Sequence, residues 1–407
     1  MKILIVNTSD INGGAARAAY RLHKALLTQG IDSKMLVQTK ESDDWRVETI
    51  ATNKIQKGVN LIRPTVDGLP TKFYKNRVKT LFSPSWIGFS GVVNKINEVN
   101  PDIVHLHWVA GGMMRIEDIA KIKAPIVWSL HDNWAFTGGC HIMWECDQYK
   151  NSCGACPRLG SNKENDLSRK IFHRKQKTFK QKKEMTIIGL SHWLNECSKS
   201  STLLKDKKHI HLPNPINTSI FKPLGKKQAR ALWNLPADKK LILFGAMSAT
   251  SDINKGFKEL SEALKQLHDS NIEFVVFGSS QPKESQSFGF KTHYLGRLHD
   301  DVSLTTLYSL ADVMVVPSKQ ENLSNVIMES LSCGTPVVGF DIGGNSDMVE
   351  HKKNGYLVKP FDTSDLKDGI EWVLNHDNYD ELCRNARAKV LVEFEHQIVA
   401  KKYIKLY

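Results

Sequence analysis

Apolar and polar positions fall into short alternating blocks. Residues 1–7 open with the unbroken apolar run Ile3-Leu4-Ile5-Val6. Such a run is typical of a strand buried on both faces of a parallel sheet. A polar loop with Gly13 and Gly14 follows, and residues 15–27 then place apolar side chains at helical spacing. A strand-loop-helix opening implies a parallel sheet covered by helices. Further strands are predicted over 33–37, 103–106, 126–130 and 186–190. Each ends in polar or Gly-bearing sequence, where a parallel sheet places its ligands.

The alternation breaks at Leu212-Pro213-Asn214-Pro215-Ile216-Asn217, which has two prolines and no helical period. It reads as a linker. Strands are predicted again over 241–244, 274–277, 313–316 and 336–339, and helices over 256–267, 303–310 and 324–331. The chain reads as helical from about Tyr379 onward. With 407 residues it exceeds what one core usually holds. The expectation is α/β throughout, with one domain over 1–212 and a second over 213–389.

Composition is ordinary for a globular protein, 41% hydrophobic and 24% charged. The formal charge of +13 suits an anionic partner: nucleic acid, an acidic lipid face or a phosphorylated substrate. No apolar run is long enough to span a bilayer. The N-terminus turns polar too early for a signal peptide, so the expected location is cytoplasmic, resting at most on the inner membrane face. Residues 169–183 concentrate Arg169, Lys170, Arg174, Lys175, Lys177, Lys180, Lys182 and Lys183. They form either a solvated helix face or a patch for anionic lipid.

Candidate chemistry collects at strand ends. After the strand ending at Val316, a loop carries Glu321; a helix with Ser324 as N-cap then carries Asn325 and Glu329, ending at Gly334 and Pro336. Ionised carboxylates accept hydrogen bonds from vicinal hydroxyls of a hexose or ribose. Gly13-Gly14, with Arg17 one turn on, precede a helix N-terminus, which favours phosphate. His131 follows an apolar strand and can bond a sugar hydroxyl, and Asp132 either orients it or caps the next element. Lys255, next to Gly256, places a cation in the loop after the strand predicted over 241–244.

Four of the seven cysteines crowd together as Cys140, Cys146, Cys153 and Cys156. The final Cys-x-x-Cys has chelating spacing, and four thiolates complete a tetrahedral structural zinc site. His141 is an alternative ligand. Reduced packing cysteines or a disulfide are the other readings.

Glu321 and Glu329, followed by Ser330-Leu331-Ser332-Cys333-Gly334-Thr335-Pro336-Val337-Val338, resemble the E-x7-E segment of retaining family-4 glycosyltransferases. Pro213-Asn214-Pro215-Ile216-Asn217 with Phe221-Lys222-Pro223 resembles that family's interdomain linker, and Asn354-Gly355-Tyr356-Leu357-Val358 its N-G-x-L-V strand. The resemblance implies a GT-B fold: two Rossmann-like domains facing a central cleft, with a last helix, about 390–407, packing back on the first. It implies that Glu321 contacts the transferred sugar, and that Glu329 and Asn325 contact the nucleotide. It places the Gly13-Gly14 loop at the diphosphate and acceptor, His131 at the donor hexose, and Arg297 with Leu298 at the base, with charge for the leaving group as the alternative role of Arg297. Lys255 matches only in part the basic pair with which the family neutralises the departing diphosphate, a form of electrostatic catalysis. No arginine lies between Phe244 and Lys255, and Asn254 or a serine takes its place. The cysteine segment resembles a surface-polysaccharide subgroup of colanic-acid type.

The implied activity is transfer of a hexose, with retention, from a UDP- or GDP-sugar to a glycan or lipid-linked surface-polysaccharide precursor, without a catalytic divalent metal. Two rivals remain at this point: a GT-B nucleotide-sugar epimerase or phosphorylase, and a basic nucleic-acid-binding protein with a zinc site. No RNA- or DNA-binding signature accompanies the charge, so nucleic acid is not the expected partner.

Overall fold

The computed structural model describes residues 1–51, 53–88, 91–245, 251–281, 288–298 and 300–407. The chain divides into one unit of Met1–Pro215 with Val399–Tyr407 and another of Ile216–Ile398.

In the first unit the opening apolar run is β1 (Lys2–Ser9). It is joined by β2 (Asp32–Thr39), β3 (Val47–Thr49), β4 (Ile103–Leu106), β5 (Ile126–Leu130), β6 (Met185–Gly189) and β7 (Lys208–His211). All pair parallel, in the order β3-β2-β1-β4-β5-β6-β7. The helices are α1 (Gly14–Thr28), α2 (Lys54–Asp67), α3 (Val92–Val99), α4 (Leu167–Gln181) and α5 (His192–Ser200). Ala16, Ala19, Leu22 and Leu26 bury one stripe of α1, and the small alanines let the helix sit close to the sheet.

The second unit repeats the plan. Strands β8 (Lys240–Gly245), β9 (Ile272–Phe277), β10 (Thr292–Tyr294), β11 (Val313–Val316), β12 (Val337–Phe340) and β13 (Gly355–Val358) run parallel in the order β10-β9-β8-β11-β12-β13. Around them lie α6 (Lys226–Leu232), α7 (Phe257–Leu264), α8 (Asp301–Leu310), α9 (Asn325–Ser332), α10 (Asn345–Met348), α11 (Thr363–Leu374) and α12 (Tyr379–Glu393). The last helix, α13 (His396–Leu406), delivers Tyr403 and Tyr407 to the first unit, where the Tyr407 hydroxyl lies 2.5 Å from Nδ1 of His105. In each sheet the strand order reverses once, beside β1 and β4 and beside β8 and β11. Ligands of open α/β sheets bind outside the strand carboxyl ends at such reversals.

Every predicted strand is present, and the short β3, β7 and β10 are additional. The basic stretch 169–183 departs from expectation. Lys175 and Lys182 are buried, each donating to backbone carbonyls, and Arg174 pairs with Glu117 at 2.7 Å. Only Lys170, Lys177, Lys180 and Lys183 of that group are exposed.

Candidate functional site

In the second unit, Lys255 ends a single 3-10 turn (Ile253–Lys255) closed by Gly256 at φ 69°. That glycine is required: a Cβ on it would lie 1.8 Å from the carbonyl oxygen of Pro317. The turn therefore presses directly on the loop that follows β11. Two hydrogen bonds lock the contact, Lys319 N–H to the Asn254 carbonyl at 2.8 Å and Asn254 Nδ2 to the Gln320 carbonyl at 2.9 Å. Lys255 Nζ then reaches Glu321 Oε1 at 2.6 Å. Burial alone would lower the Lys255 pKa. The Glu321 carboxylate outweighs it, with Asp252 assisting, and the ammonium is held above its ordinary value. Asn254, expected where the family has an arginine, spends its side chain on the loop.

Glu321 is fixed from its other side. Gly344 N–H donates to the Glu321 carbonyl at 3.2 Å, and Gly343, at φ 55°, packs so close that a Cβ would lie 1.8 Å from that oxygen. Glu329 sits on α9, 3% exposed, and its Oε2 accepts from the Tyr308 hydroxyl at 2.8 Å. Ser324 is the N-cap of α9 by position but makes no side-chain cap bond. Asn325 begins the helix half-buried. Arg297 is exposed and Leu298 half-buried after β10.

In the first unit the carboxyl ends of β1, β4 and β5 carry the other candidates. Gly13 caps α1 at φ 97°, with no atom of the described residues within 4 Å of where a Cβ would stand, and Gly14 is exposed. The loop is held from below by Asp10, a buried residue the sequence did not single out. Its carboxylate accepts from the N–H groups of Ile11, Glu41 and Ser42 at 3.1, 3.0 and 2.9 Å.

His131 is half-buried at the end of β5, and its Nε2 lies 2.8 Å from Nδ1 of the buried His107. Burial lowers the His131 pKa to about 4 against the opposing pull of Asp132. Burial, with His105 and His131 nearby, holds His107 well below the ordinary histidine value. Both rings are neutral near pH 7, so one donates and one accepts. His107 Nε2 is buried with no partner among the described residues. An unpaired buried acceptor is commoner than an unpaired N–H, so the His107 proton is assigned to Nδ1 and the His131 proton to its own Nδ1.

Asp132 does not orient His131. Its Oδ1 accepts from Trp134 N–H at 2.8 Å, and its Oδ2 meets the Trp108 indole at 2.7 Å and His141 Nδ1 at 2.6 Å. The other nitrogen of His141 lies 2.8 Å from Ser83 Oγ. With both nitrogens engaged, His141 is unavailable as a metal ligand, contrary to the alternative drawn from sequence. The four clustered cysteines are free thiols that share one small cavity.

Two parallel Rossmann-like sheets with candidate groups at their carboxyl ends define a GT-B architecture. Residues 12–178 match the family profile described as Glycosyltransferase Family 4, and residues 225–390 that of Glycosyl transferases group 1. The chain belongs to this glycosyltransferase family. It is 29% identical over 200 residues to the N,N'-diacetylbacillosaminyl-diphospho-undecaprenol alpha-1,3-N-acetylgalactosaminyltransferase of Campylobacter jejuni, covering 47% of this chain and 52% of that protein. It is 30% identical over 180 residues to an uncharacterized glycosyltransferase of Methanocaldococcus jannaschii, covering 42% and 45%. The matches thus span about half the length of these relatives. Among solved structures, sucrose-phosphate synthase from Thermosynechococcus elongatus superposes with TM-score 0.68 at 18% identity, covering 100% of this chain and 98% of that one. Anabaena Alr3699/HepE in complex with UDP-glucose superposes with TM-score 0.66 at 15% identity, covering 100% and 99%. At these identities the likeness is one of fold.

Proposed function

We propose that this protein transfers a hexose, with retention of configuration, from a UDP- or GDP-sugar to a glycan or lipid-linked precursor of a surface polysaccharide. The observation that carries the reading is the Lys255–Glu321 pair at 2.6 Å, beside the strand reversal of the second unit, with Glu329 on the next helix. A lysine held charged supplies positive potential where a leaving diphosphate develops negative charge. Glu321 accepts from hydroxyls of the transferred hexose, and Glu329 with Asn325 holds the nucleotide. Arg297 and Leu298 serve the base. In the first unit, the Gly13-Gly14 turn leads into the α1 N-terminus, which favours phosphate. His131, protonated on Nδ1, donates to a hexose hydroxyl. No step in this reading requires a divalent metal.

A lipid-linked acceptor requires a membrane face, and α2 supports one. The helix is inside out. Its buried residues are the polar Asn60, Arg63 and Asp67. Ile55 (79% exposed), Leu61 (71%), Ile62 (59%) and, just beyond it, Phe73 (87%) face solvent. Lys54, Lys57, Lys72 and Lys75 flank them, a pattern suited to anionic lipid. A groove of about 710 Å³ beside it is lined by Phe73, Tyr74, Lys75, Lys163 and Lys170.

The test is incubation with UDP- and GDP-sugars and a polyprenyl-diphosphate glycan acceptor in EDTA. The product's anomeric configuration is read by NMR. A transferred hexose with the donor's configuration supports the proposal. Acceptor-independent epimerisation, phosphate-dependent turnover or an inverted product contradicts it.

A further inference from the structure

Residues 137–166 form a long excursion after β5 whose only regular element is one 3-10 turn, Gln148–Lys150. Loops of this length without structure of their own are uncommon in compact domains. Within it Cys140, Cys146, Cys153 and Cys156 line one cavity of about 10 Å³, together with Phe82, Met143 and Tyr149. Three of the four thiols are at most 8% exposed. In all six pairings the thiols are close enough for their charges to oppose one another.

The backbone is shaped around the sulfurs. Cys153, Gly154 and Ala155 are successive left-handed residues, at φ 52°, 102° and 42°. Left-handed geometry costs non-glycine residues about 1–2 kcal/mol each. Here it turns both cysteines of Cys-x-x-Cys to the same cavity. Gly138 N–H donates to Cys153 Sγ at 3.2 Å, and the N–H groups of Leu159 and Arg158 face the Cys156 sulfur. Backbone donors aimed at sulfur stabilise thiolates.

We infer that Cys140, Cys146, Cys153 and Cys156 hold one structural zinc ion that fastens this loop. Among the described residues no three of these sulfurs lie within 4.8 Å of one another. Zn–S bonds of about 2.3 Å in a tetrahedron need sulfur separations of about 3.8 Å, so the loop contracts around the ion. With four protein ligands the site has no open position and is not catalytic. It anchors the segment that holds His141 against Asp132, next to His131.

The experiment is metal analysis of the full chain purified under reducing conditions. About one zinc per chain is expected, released to a chromogenic chelator as a mercurial titrates about four thiols. Cys153→Ser with Cys156→Ser should lower the zinc content about tenfold or more, whereas Cys333→Ser, in the other unit, should leave it unchanged. Should the double variant not fold, the mercurial titration of the wild-type chain still decides. Absence of zinc after reconstitution, a rubredoxin-like iron spectrum, or a mass deficit signalling disulfides would overturn the inference.

Discussion

Replacing Gly343 with alanine should disable turnover while leaving nucleotide binding nearly intact. The new Cβ would stand 1.8 Å from the Glu321 carbonyl oxygen. Ordinary carbon–oxygen contacts begin at about 3.3 Å, so the Glu321 backbone must retreat by about 1.5 Å. The Gly344 N–H to Glu321 bond of 3.2 Å is lost with it, at about 1 kcal/mol. Alanine at φ 55° adds about 1–2 kcal/mol of strain. A displacement of about 1 Å at a reacting group costs on the order of 100-fold in rate, about 2.7 kcal/mol. The assay is sugar transfer at saturating donor and acceptor, alongside nucleotide titration. The expected result is a kcat about 100-fold down with Kd for the nucleoside diphosphate within about threefold, because Glu329 is held separately by Tyr308. Gly289→Ala is the control, with φ 84° but no atom of the described residues within 4 Å of the Cβ. It should cost stability and leave kcat alone. A folded Gly343→Ala protein with wild-type kcat would show that the position of Glu321 does not limit transfer.

Lys255→Met should lower kcat by about 10²–10³ if the ammonium meets leaving-group charge; an unchanged kcat would remove the lysine from the chemistry. Phe73→Asp with Ile62→Asp should abolish sedimentation with vesicles rich in anionic lipid while sparing the circular dichroism spectrum, and undiminished sedimentation would dismiss α2 as the membrane face. His23, His105 and His131 have folded pKa values lowered by burial to about 4, 3 and 4. The unfolded chain therefore binds more protons below about pH 6.5, and the stability held above that pH is lost as pH falls toward 4. Each histidine contributes up to about 2 kcal/mol between pH 7 and pH 5. The urea midpoint of tryptophan emission should drop accordingly, and a flat midpoint over that range would contradict the burial assigned to these rings.

The α/β repeat was legible because strands buried on both faces leave unbroken apolar runs, as at Ile3–Val6 and Val313–Val316. Edge strands such as β3 and β10, three residues each, leave too little pattern to read. The α2 helix was missed for a different reason: its polar face is the buried one, so its periodicity points away from the core. Site residues at strand ends could be named from type and position, since Lys255, Glu321 and His131 each follow a strand. Their ties could not. The pairing of Lys255 with Glu321 crosses 66 positions and depends on two glycines that admit close backbone contact. His107 carried a faint signal, in that His105 and His107 alternate at the end of β4, but its bond to His131 needs the register of β4 against β5. In α4 the charge run hid Lys175, whose burial rests on carbonyls of Trp134 and Thr137 far away in sequence.

In the proposed function Glu329 holds the nucleotide of the donor. The most direct measurement is calorimetric titration of UDP, GDP, ADP and CMP in EDTA against wild type, Glu329→Ala and the shape-preserving Glu329→Gln. One nucleotide should bind in preference to the others. Both substitutions should weaken it by about 10- to 100-fold, the value of about 1.5–3 kcal/mol for hydrogen bonds to a carboxylate. No binding by any nucleotide, or binding unchanged in folded variants, would exclude Glu329 from a nucleotide site.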